Sequence, residues 1–486
     1  MTKQDKLLDA IGQVDEKLIP ELSPRRKNRK VIFISSIAVV CAAALLLATL
    51  FPPKFLANLL GRSSEKLSAQ TLASPNYPTM VEYPDESKYA DWDLYSNAVS
   101  AWNESRDALR NQPTGYQTGY DAFFRDVTPT LIDPDTSENF AFSPMSLYLA
   151  LSMSAEITDG QSRQQILDVL HQKDILSSRA NAKSLFEANF VDDKIGKCLL
   201  ANSLWTNSKC TYDQATMNIL ADHYYASAFT GDPLSPKYTT LYRAWINNQT
   251  DGLLSDFVNE LSLDPQMVLT LVSTVNYEGK WSQRFDPEQT KASTFHGQNG
   301  DITCDFMKNS YETMFSRGEN FDSIDVPMES NGYMRLILPN EGIRPAALLQ
   351  DKECMDFLMN KDSVAEKHMT VNLSLPKFDI ASSLKLNENL KKLGITEIFD
   401  ATRANFAPLG SDSAEGLAIT TVQQDARILI DEEGCKASAD TIMELCGSAM
   451  PPDDKIDLVF DRPFLVEIVS DTGAPLFIGI VNQPAD

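Results

Sequence analysis

The stretch that decides the fold of this chain is Leu271–Phe285, which reads LVSTVNYEGKWSQRF. Its first half belongs to the apolar, β-branched run 268–277 (VLTLVSTVNY), and such a run predicts a strand. Its second half carries the triplet Gly279–Lys280–Trp281. Because strand and triplet stand together, this stretch is the most specific pattern in the sequence.

Helices and strands alternate around this stretch without the regularity of βαβ units. The apolar spacing predicts helices over 145–156 and 162–170, and a short helix over 385–394 ends at Gly394. Further strands are predicted at 333–338, 371–380, 426–431 and 464–469. Strands grouped late in the chain indicate the α+β class. No second linker or internal repeat interrupts residues 113–486, so we predict that they form one body.

The chain of 486 residues divides by charge into three parts. Residues 1–30 hold eight Lys/Arg and five Asp/Glu, and residues 31–50 hold no charged residue. The remainder is strongly acidic, because the whole chain has a net charge of −24. This acidity argues against nucleic acid as a partner, since phosphate binding needs a basic face.

The uncharged part predicts a membrane span. Residues 31–50 (VIFISSIAVVCAAALLLATL) would form a helix of about 30 Å, the thickness of the hydrocarbon core of a bilayer. Basic residues at 25–30 precede it and favour a cytoplasmic N-terminus. We therefore expect a cytoplasmic stub over 1–30, a transmembrane helix over 31–51 at the cell membrane, and an extracellular body. The alternative is a cleaved signal peptide, whose apolar region would be shorter.

A tether is predicted between the span and the body. Residues 52–88 are rich in proline, serine and threonine, which indicates a semi-extended chain. Residues 88–111 place Trp92, Tyr95 and Trp102 on roughly one helical face. We therefore assign residues 52–112 to a Pro-rich tether that ends in a helix.

Signatures of catalytic and metal sites are missing from the sequence. The four histidines form no zinc motif, no CxxC pair occurs, and GxSxG, P-loop and GxGxxG patterns are absent. We therefore expect neither catalytic residues nor a metal ion.

Short segments between residues 139 and 479 follow one another in the order of a known family. They are NFAFSPMS (139–146), ANSLWT (201–206), WINNQTDGLLSDFV (245–258), LVSTVNYEGKWSQRF (271–285), LPKF (375–378), DEEG (431–434), DRPF (461–464) and FIG (477–479). In these segments the chain resembles the serpins, the serine protease inhibitors. The resemblance implies several helices around a large central sheet, two further sheets and an exposed reactive loop, and we expect a membrane-anchored bacterial member.

Inhibition, rather than an enzymatic activity, is what the resemblance implies. A serine protease cuts the exposed loop and becomes acylated, and the loop then inserts as a new strand into the main sheet. This insertion traps the protease as a covalent acyl complex. The expected partners are therefore serine proteases, and no cofactor is implied.

The resemblance also assigns the parts of the loop. Gly434 matches the hinge glycine, and a count of fourteen residues places the cleaved bond at Ser448–Ala449. Every second residue from the hinge onward is small or apolar, as a half-buried strand requires: Cys435, Ala437, Ala439, Thr441, Met443 and Leu445. An ordinary edge strand of the native fold would show the same alternation.

Small residues at the cleaved bond favour a protease with a small pocket, such as an elastase-like or subtilisin-like enzyme. A slip of one residue would place Gly447 or Ala449 before the bond. Two alternatives stay open, a non-inhibitory serpin-fold binding protein and a cross-class inhibitor of cysteine proteases.

The residues that the resemblance assigns to sheet opening are polar or aromatic. They are Asn139, Ser143, Ser146, Ser273, Trp281 and Gln424. Ser273 stands where serpins usually carry asparagine, and Gln424 stands where they often carry histidine. We therefore expect the gating of the sheet to differ in detail from that of other members.

Overall fold

A computed structural model of the chain describes residues 69–113, 115–264, 268–329, 332–359, 363–410, 417–435 and 454–484. The predicted membrane helix over 31–51 lies outside these residues, and so do Ala437, Ala439, Ser448 and Ala449 of the predicted loop. Within the described ranges, no helix has the length and apolarity needed to cross a membrane.

The described residues form an α+β arrangement of helices and two large sheets, which confirms the predicted class. The helices are α1 (Trp92–Arg110), α2 (Thr118–Leu131), α3 (Pro144–Glu156), α4 (Gly160–Val169), α5 (Ile175–Asn189), α6 (Gln214–Tyr224), α7 (Pro236–Gln249), α8 (Ser255–Glu260), α9 (Pro345–Leu348), α10 (Lys352–Met359) and α11 (Asn387–Lys392). The strands are β1 (Ala69–Ala73), β2 (Phe140–Phe142), β3 (Val191–Asp192), β4 (Gly196–Asn207), β5 (Ala226–Gly231), β6 (Leu269–Lys280), β7 (Lys291–Gly297), β8 (Gly300–Arg317), β9 (Phe321–Pro327), β10 (Tyr333–Pro339), β11 (Ala365–Pro376), β12 (Phe378–Lys385), β13 (Gln423–Ile430), β14 (Gly434–Cys435), β15 (Lys455–Val459), β16 (Phe464–Val469) and β17 (Pro475–Val481).

The main sheet has the strand order β1-β5-β4-β6-β14-β13-β12, with β3 paired to β4. Strand β6, which the opening stretch of the sequence predicts, pairs with β4 in antiparallel register from Leu269 opposite Thr206 to Gly279 opposite Gly196. On its other side β6 meets only the two residues of β14 among the described residues. Strand β13 pairs along its whole length with β12.

The second sheet has the order β15-β11-β8-β9-β10-β16-β17-β2, with β7 paired to β8. Two further sheets are expected from the resemblance, but hydrogen bonds join them into one continuous sheet here. The reason is the length of β8, which pairs with β7 near its start, with β11 from Phe306 onward and with β9 at its end.

Two hydrophobic cores cover the two faces of the main sheet. The larger core contains α3, in which every residue except Ala150 is buried, as expected for a helix packed between sheets. Ser143 caps this helix, because its side chain accepts a hydrogen bond from the backbone of Ser146. The smaller core lies between the sheet and α7, where Tyr238 and Tyr242 pack on Trp205.

The predicted run 371–380 contains two strands rather than one. Strand β11 ends at Pro376 in the second sheet, and β12 begins at Phe378 in the main sheet. Between them, the backbone N–H of Lys377 bonds to the carbonyl of Asp305. The chain therefore crosses from one sheet to the other at Lys377, a change that an apolar run does not reveal.

The compact unit begins at residue 68, whereas the sequence analysis places its start at residue 113. Strand β1 extends the main sheet by pairing with β5, from Ala69 opposite Gly231 to Ala73 opposite Ala228. Helix α1 and the segment before it pack on the same unit, since the ring of Tyr77 stacks on those of Phe186, Phe190 and Tyr225. These aromatic contacts pack the Pro-rich segment, described from residue 69 onward, against the rest of the unit.

Candidate functional site

The predicted hinge lies at a seam of the main sheet, between β6 and β13. Gly434 pairs with Lys280 of β6, and Cys435 pairs with Gly279 on one side and Ile430 on the other. The Cys435 side chain is buried. Two residues thus fill one end of the seam, and the predicted loop continues directly from them.

Gly434 has a backbone conformation and surroundings that only glycine tolerates. Its φ angle is +148°, in the region that L side chains rarely adopt. A Cβ atom added there would lie 2.2 Å from the carbonyl oxygen of Gly279. The hinge glycine is therefore required both by its own backbone and by the close approach of β6.

The turn before the hinge is fixed by contacts to its main chain. The Asp431 carboxylate accepts hydrogen bonds from the backbone N–H groups of Glu433 and Gly434, at 2.9 and 3.2 Å. The Trp281 indole donates to the carbonyl of Asp431 at 2.9 Å, and the Trp281 backbone donates to Glu433 at 3.1 Å. Trp281 therefore positions the turn that delivers the hinge.

Charged partners hold the same turn from outside. The Glu432 carboxylate lies 2.9 Å from the Lys377 ammonium and accepts a hydrogen bond from Thr290 at 2.8 Å. Burial alone would raise the pKa of Glu432, but the bonds from Lys377 and Thr290 outweigh it and leave that pKa lowered. Glu432 is thus an ionised anchor at the entrance to the hinge.

A polar clasp, formed by Ser143, Ser146, Ser273 and Gln424, joins the N-terminus of α3 to both strands of the seam. Gln424 of β13 accepts from the backbone N–H of Ser143 at 3.0 Å and donates to its carbonyl at 2.9 Å. The Ser146 hydroxyl donates to the carbonyl of Ser273 in β6 at 2.7 Å. One helix end is therefore bonded to both strands of the seam.

Four of the six residues assigned to sheet opening lie in this clasp, and the other two lie elsewhere. Trp281 is at the hinge turn. Asn139 accepts from the backbone N–H groups of Asn482 and Gln483 and donates to the carbonyl of Gln483, so it holds the end of the chain beside β17. Its place four residues before Ser143 does not bring it to the seam, because β2 lies between them and pairs with β17.

A connection that the sequence analysis did not single out crosses the same seam. Between α7 and α8, the Asp251 carboxylate accepts from Asn276 of β6 at 2.9 Å and from Lys197 of β4 at 2.7 Å. The carbonyl of Leu253 accepts from Arg427 of β13 at 3.2 Å. Asp251 also has a positive φ of +48°. In the sequence, the polar residues around Asp251 in the segment 245–258 were the signal that could have indicated this connection.

This arrangement matches a known family. The family model described as serpin (serine protease inhibitor) matches residues 119–484. The chain belongs to the serpin family.

Two curated serpins are similar over nearly their whole length. The chain is 27% identical to Serpin-Z2B of Triticum aestivum over 361 residues, which is 72% of this chain and 91% of that protein. It is 27% identical to a serine protease inhibitor of Cyanea capillata over 368 residues, which is 73% of this chain and 95% of that protein. Serpins are in general protease inhibitors rather than enzymes, and proteases are their typical partners.

A solved structure shows the same fold. The native state of a thermophilic serpin, Tengpin, superposes with a TM-score of 0.68 at 23% sequence identity. The superposition covers 86% of this chain and all of that one. The seam and its contacts therefore lie in a serpin fold.

The first prediction concerns the Gly434→Ala variant. We expect a lower urea midpoint, because alanine at this φ costs about 1–3 kcal/mol and its Cβ would displace Gly279 from the hinge. The matched control is Gly394→Ala, since Gly394 has a φ of +104° but no atom within 4 Å of the added Cβ. Equal midpoints for the two variants would show that the close approach to β6 contributes nothing.

The second prediction concerns the clasp. Gln424→Ala should lower the free energy of unfolding by about 1–3 kcal/mol, because the buried backbone N–H of Ser143 loses its hydrogen-bond acceptor. The measurement is urea unfolding followed by fluorescence. Gln423→Ala is the matched control, because the neighbouring Gln423 is exposed and bonds only at the surface. A loss no larger than that of the control would contradict the role of the clasp.

Proposed function

We propose that this serpin is a single-use inhibitor of serine proteases that inserts its cut loop between β6 and β13. The observation that carries the proposal is β14. Cys435 pairs with both strands of the seam, Gly434 pairs with β6, and β14 runs antiparallel to each strand. A loop that continues from Cys435 in the same direction would extend this ladder along both strands.

The register of β14 supports the proposal, because it assigns each later loop residue a neighbour. Continued from Cys435 opposite Ile430, it sets Ala437 opposite Ile428, Ala439 opposite Ala426 and Thr441 opposite Gln424. All four residues of β13 in this row are buried: Ile430, Ile428, Ala426 and Gln424. The small and apolar positions of the loop therefore coincide with the buried face of the sheet.

Thr441 carries the one hydroxyl among the alternating small and apolar residues of the loop, and the register gives it polar neighbours. Continued along β6, the same register sets Thr441 opposite Ser273 as well as opposite Gln424. Ser273 has a buried hydroxyl oxygen without a hydrogen-bond partner among the described residues. Thr441, the one polar residue on the buried face of the loop, would thus lie between the polar residues Gln424 and Ser273. A solvated loop has no need of such a match.

The proposed cleaved bond is Ser448–Ala449, and elastase-like or subtilisin-like enzymes are the proposed targets. Small residues on both sides of the bond gain little from a large specificity pocket. The full-length chain with a pancreatic-type elastase should give a covalent complex on a denaturing gel. It should also release a peptide of residues 449–486, whose mass fixes the bond. Cleavage without a complex would favour a non-inhibitory binding protein.

Two arginine variants serve as the controls of this test. Ala437→Arg puts a charge opposite buried Ile428, so the loop should be cut without trapping the protease. Asp440→Arg carries the same side chain on the outer face, where the register sets it opposite the half-exposed Asp425. The second variant should still form the complex. If both variants trap protease equally well, the register is wrong.

We further propose that residues 31–50 anchor the inhibitor in the cell membrane with the body outside. The support is the uncharged run of twenty residues behind a basic stub. The full chain should stay with membranes after an alkaline wash. Val40→Asp should weaken this retention, because a charge near the bilayer centre costs about 2.5–3.5 kcal/mol, whereas Val40→Leu should not. A mature protein that lacks residues 1–50 by mass would instead indicate a cleaved signal peptide.

A further inference from the structure

The apolar face of α1 extends further than the surface that covers it. Trp92, Tyr95 and Trp102 lie on roughly one helical face, and the structure buries Tyr95 and Trp102 to 8% exposure each. Further along the helix, Arg106 pairs with Asp471 and fixes that part of α1. Trp92, one turn before Tyr95, is 67% exposed. The first turn of α1 therefore presents an aromatic face that the described residues leave largely uncovered.

Three aromatic rings form a platform at this first turn. The ring centre of Tyr95 lies 5.4 Å from that of Trp92 and 5.9 Å from that of Tyr89. The hydroxyl groups of Tyr95 and Tyr83 lie 3.1 Å apart, and the Tyr83 ring packs edge-on against Trp102. The platform, defined as Tyr89, Trp92 and Tyr95, is thus supported by buried side chains. Such support holds an exposed tryptophan in place, as an interface anchor requires.

The platform lies at the hinge end of the main sheet. The backbone N–H of Tyr83 donates to the carbonyl of Asp193 at 2.8 Å, in the turn that leads into β4. Gly196, the first residue of β4, pairs with Gly279 of β6, and Gly279 pairs with the hinge residue Cys435. The predicted loop leaves the sheet at Cys435, so the platform and the start of the loop share one end of the sheet.

A second set of contacts leads from the platform to the hinge turn. Burial and the hydrogen bond with Tyr95 raise the pKa of Tyr83, and the nearby charge of Glu329 adds to that rise. The Glu329 carboxylate lies 3.7 Å from the Arg284 guanidinium, which also pairs with Glu433 at 3.0 Å. Glu433 directly precedes the hinge glycine. Platform and hinge turn therefore belong to one continuous stretch of the surface.

Carboxylates flank the platform. The segment 85–95 holds four acidic residues and one basic residue, namely Asp85, Glu86, Asp91 and Asp93 against Lys88. Asp85 pairs with Lys88, and Asp91 caps α1. Glu86 and Asp93 are exposed, and neither forms an ion pair within the part of the chain that the structure describes. An exposed aromatic ring beside such carboxylates suits a guanidinium group, which stacks on the ring and bonds to the carboxylate.

We propose that the platform is a docking site for an arginine-bearing surface of the target protease. The inference rests on the proposed function, which brings the protease to this end of the sheet. A protease on the bond Ser448–Ala449 cannot lie further than about 45 Å from Cys435, because only thirteen residues separate Ser448 from it. Tryptophan and arginine are also the residues that most often carry the binding energy of protein interfaces.

The acidic flank favours a protease over a lipid surface as the occupant. Carboxylates attract a basic protease before it engages the loop, and this attraction raises the association rate. The same carboxylates would repel an anionic lipid surface, the other setting in which exposed tryptophan is common. The platform would therefore select basic proteases among those that accept small residues at the cleaved bond.

The test measures the second-order rate constant for complex formation with pancreatic-type elastase. The full chain is held in phosphatidylcholine nanodiscs, where no free detergent covers the platform. We expect Trp92→Ala to associate about five- to tenfold more slowly than wild type, with the same number of inhibitor molecules consumed per trapped protease. Leu234→Ala, the matched control, should stay within about twofold. Leu234 is 61% exposed but follows Gly231, which pairs with Asn207 at the far end of β4.

Two further measurements test the chemistry of the contact. Elastase whose arginines are modified with cyclohexanedione should react with wild type as slowly as unmodified elastase reacts with Trp92→Ala, and the variant should lose no more than about twofold further. A small peptide substrate, which cannot reach the platform, shows that the modified active site is intact. Asp93→Asn should slow association about two- to threefold and weaken its dependence on salt. An unchanged rate with the modified elastase overturns arginine as the docked group.

The remaining outcomes separate this docking site from loop insertion. Equal rate constants for wild type and Trp92→Ala overturn the docking site and leave the proposed function in place. A wild-type chain that is cut without forming any complex overturns the proposed function and the docking site together. Brominated lipid in the nanodiscs serves as the check on the alternative occupant. If it quenches the fluorescence of wild type, and Trp92→Ala abolishes that quenching, the platform contacts the membrane and the protease site is overturned.

Discussion

The rest of this structure depends on two facing strand edges, those of β6 and β13. A strand edge carries backbone donors and acceptors that need partners, and an open edge invites a further strand. In the described residues only Gly434 and Cys435 meet these edges. Every other feature of the site either holds the two strands near one another or directs the loop toward the space between them.

Two sets of contacts bond to the strands at different points along the seam. The clasp at α3 bonds to Ser273 and Gln424 in the middle of the strands. The connection between α7 and α8 bonds to Asn276 and Arg427 on the opposite face of the sheet. These contacts come from both faces of the sheet, so each strand of the seam is bonded to neighbouring helices or their connections.

The order of the short segments in the sequence was enough to predict the family and the fold class, and it named four residues that the structure brings together in the clasp. Ser143 and Ser146 begin a helix whose buried face is evident from its apolar residues, and a helix beneath a sheet brings its first turn to the strands. Asn139 shows the limit of that inference, because the order of residues fixes no distances. Four residues before Ser143, it lies just ahead of the strand that pairs with β17 and bonds to the residues that follow β17.

The segment before the serpin match could not be predicted in the same way. Proline-rich composition indicates an extended chain, and composition says nothing about where that chain docks. The pair of Arg106 and Asp471 joins residues 365 positions apart, and no local pattern encodes a partner at that distance. The aromatic residues of this segment were visible, but the partners of Tyr77 at α5 and at the end of α6 become evident only once the chain has folded.

The restraints and the inserted strand differ in how their energies scale. Each restraint is a small set of hydrogen bonds or one ion pair, and a single hydrogen bond contributes about 0.5–1.5 kcal/mol net. An inserted strand would gain a bond of this size at most positions along two ladders and would bury its small and apolar side chains as well. Under the proposed mechanism the inserted state would therefore be favoured by a wide margin. The restraints would then govern only when insertion begins, which is the property that a single-use inhibitor has to control.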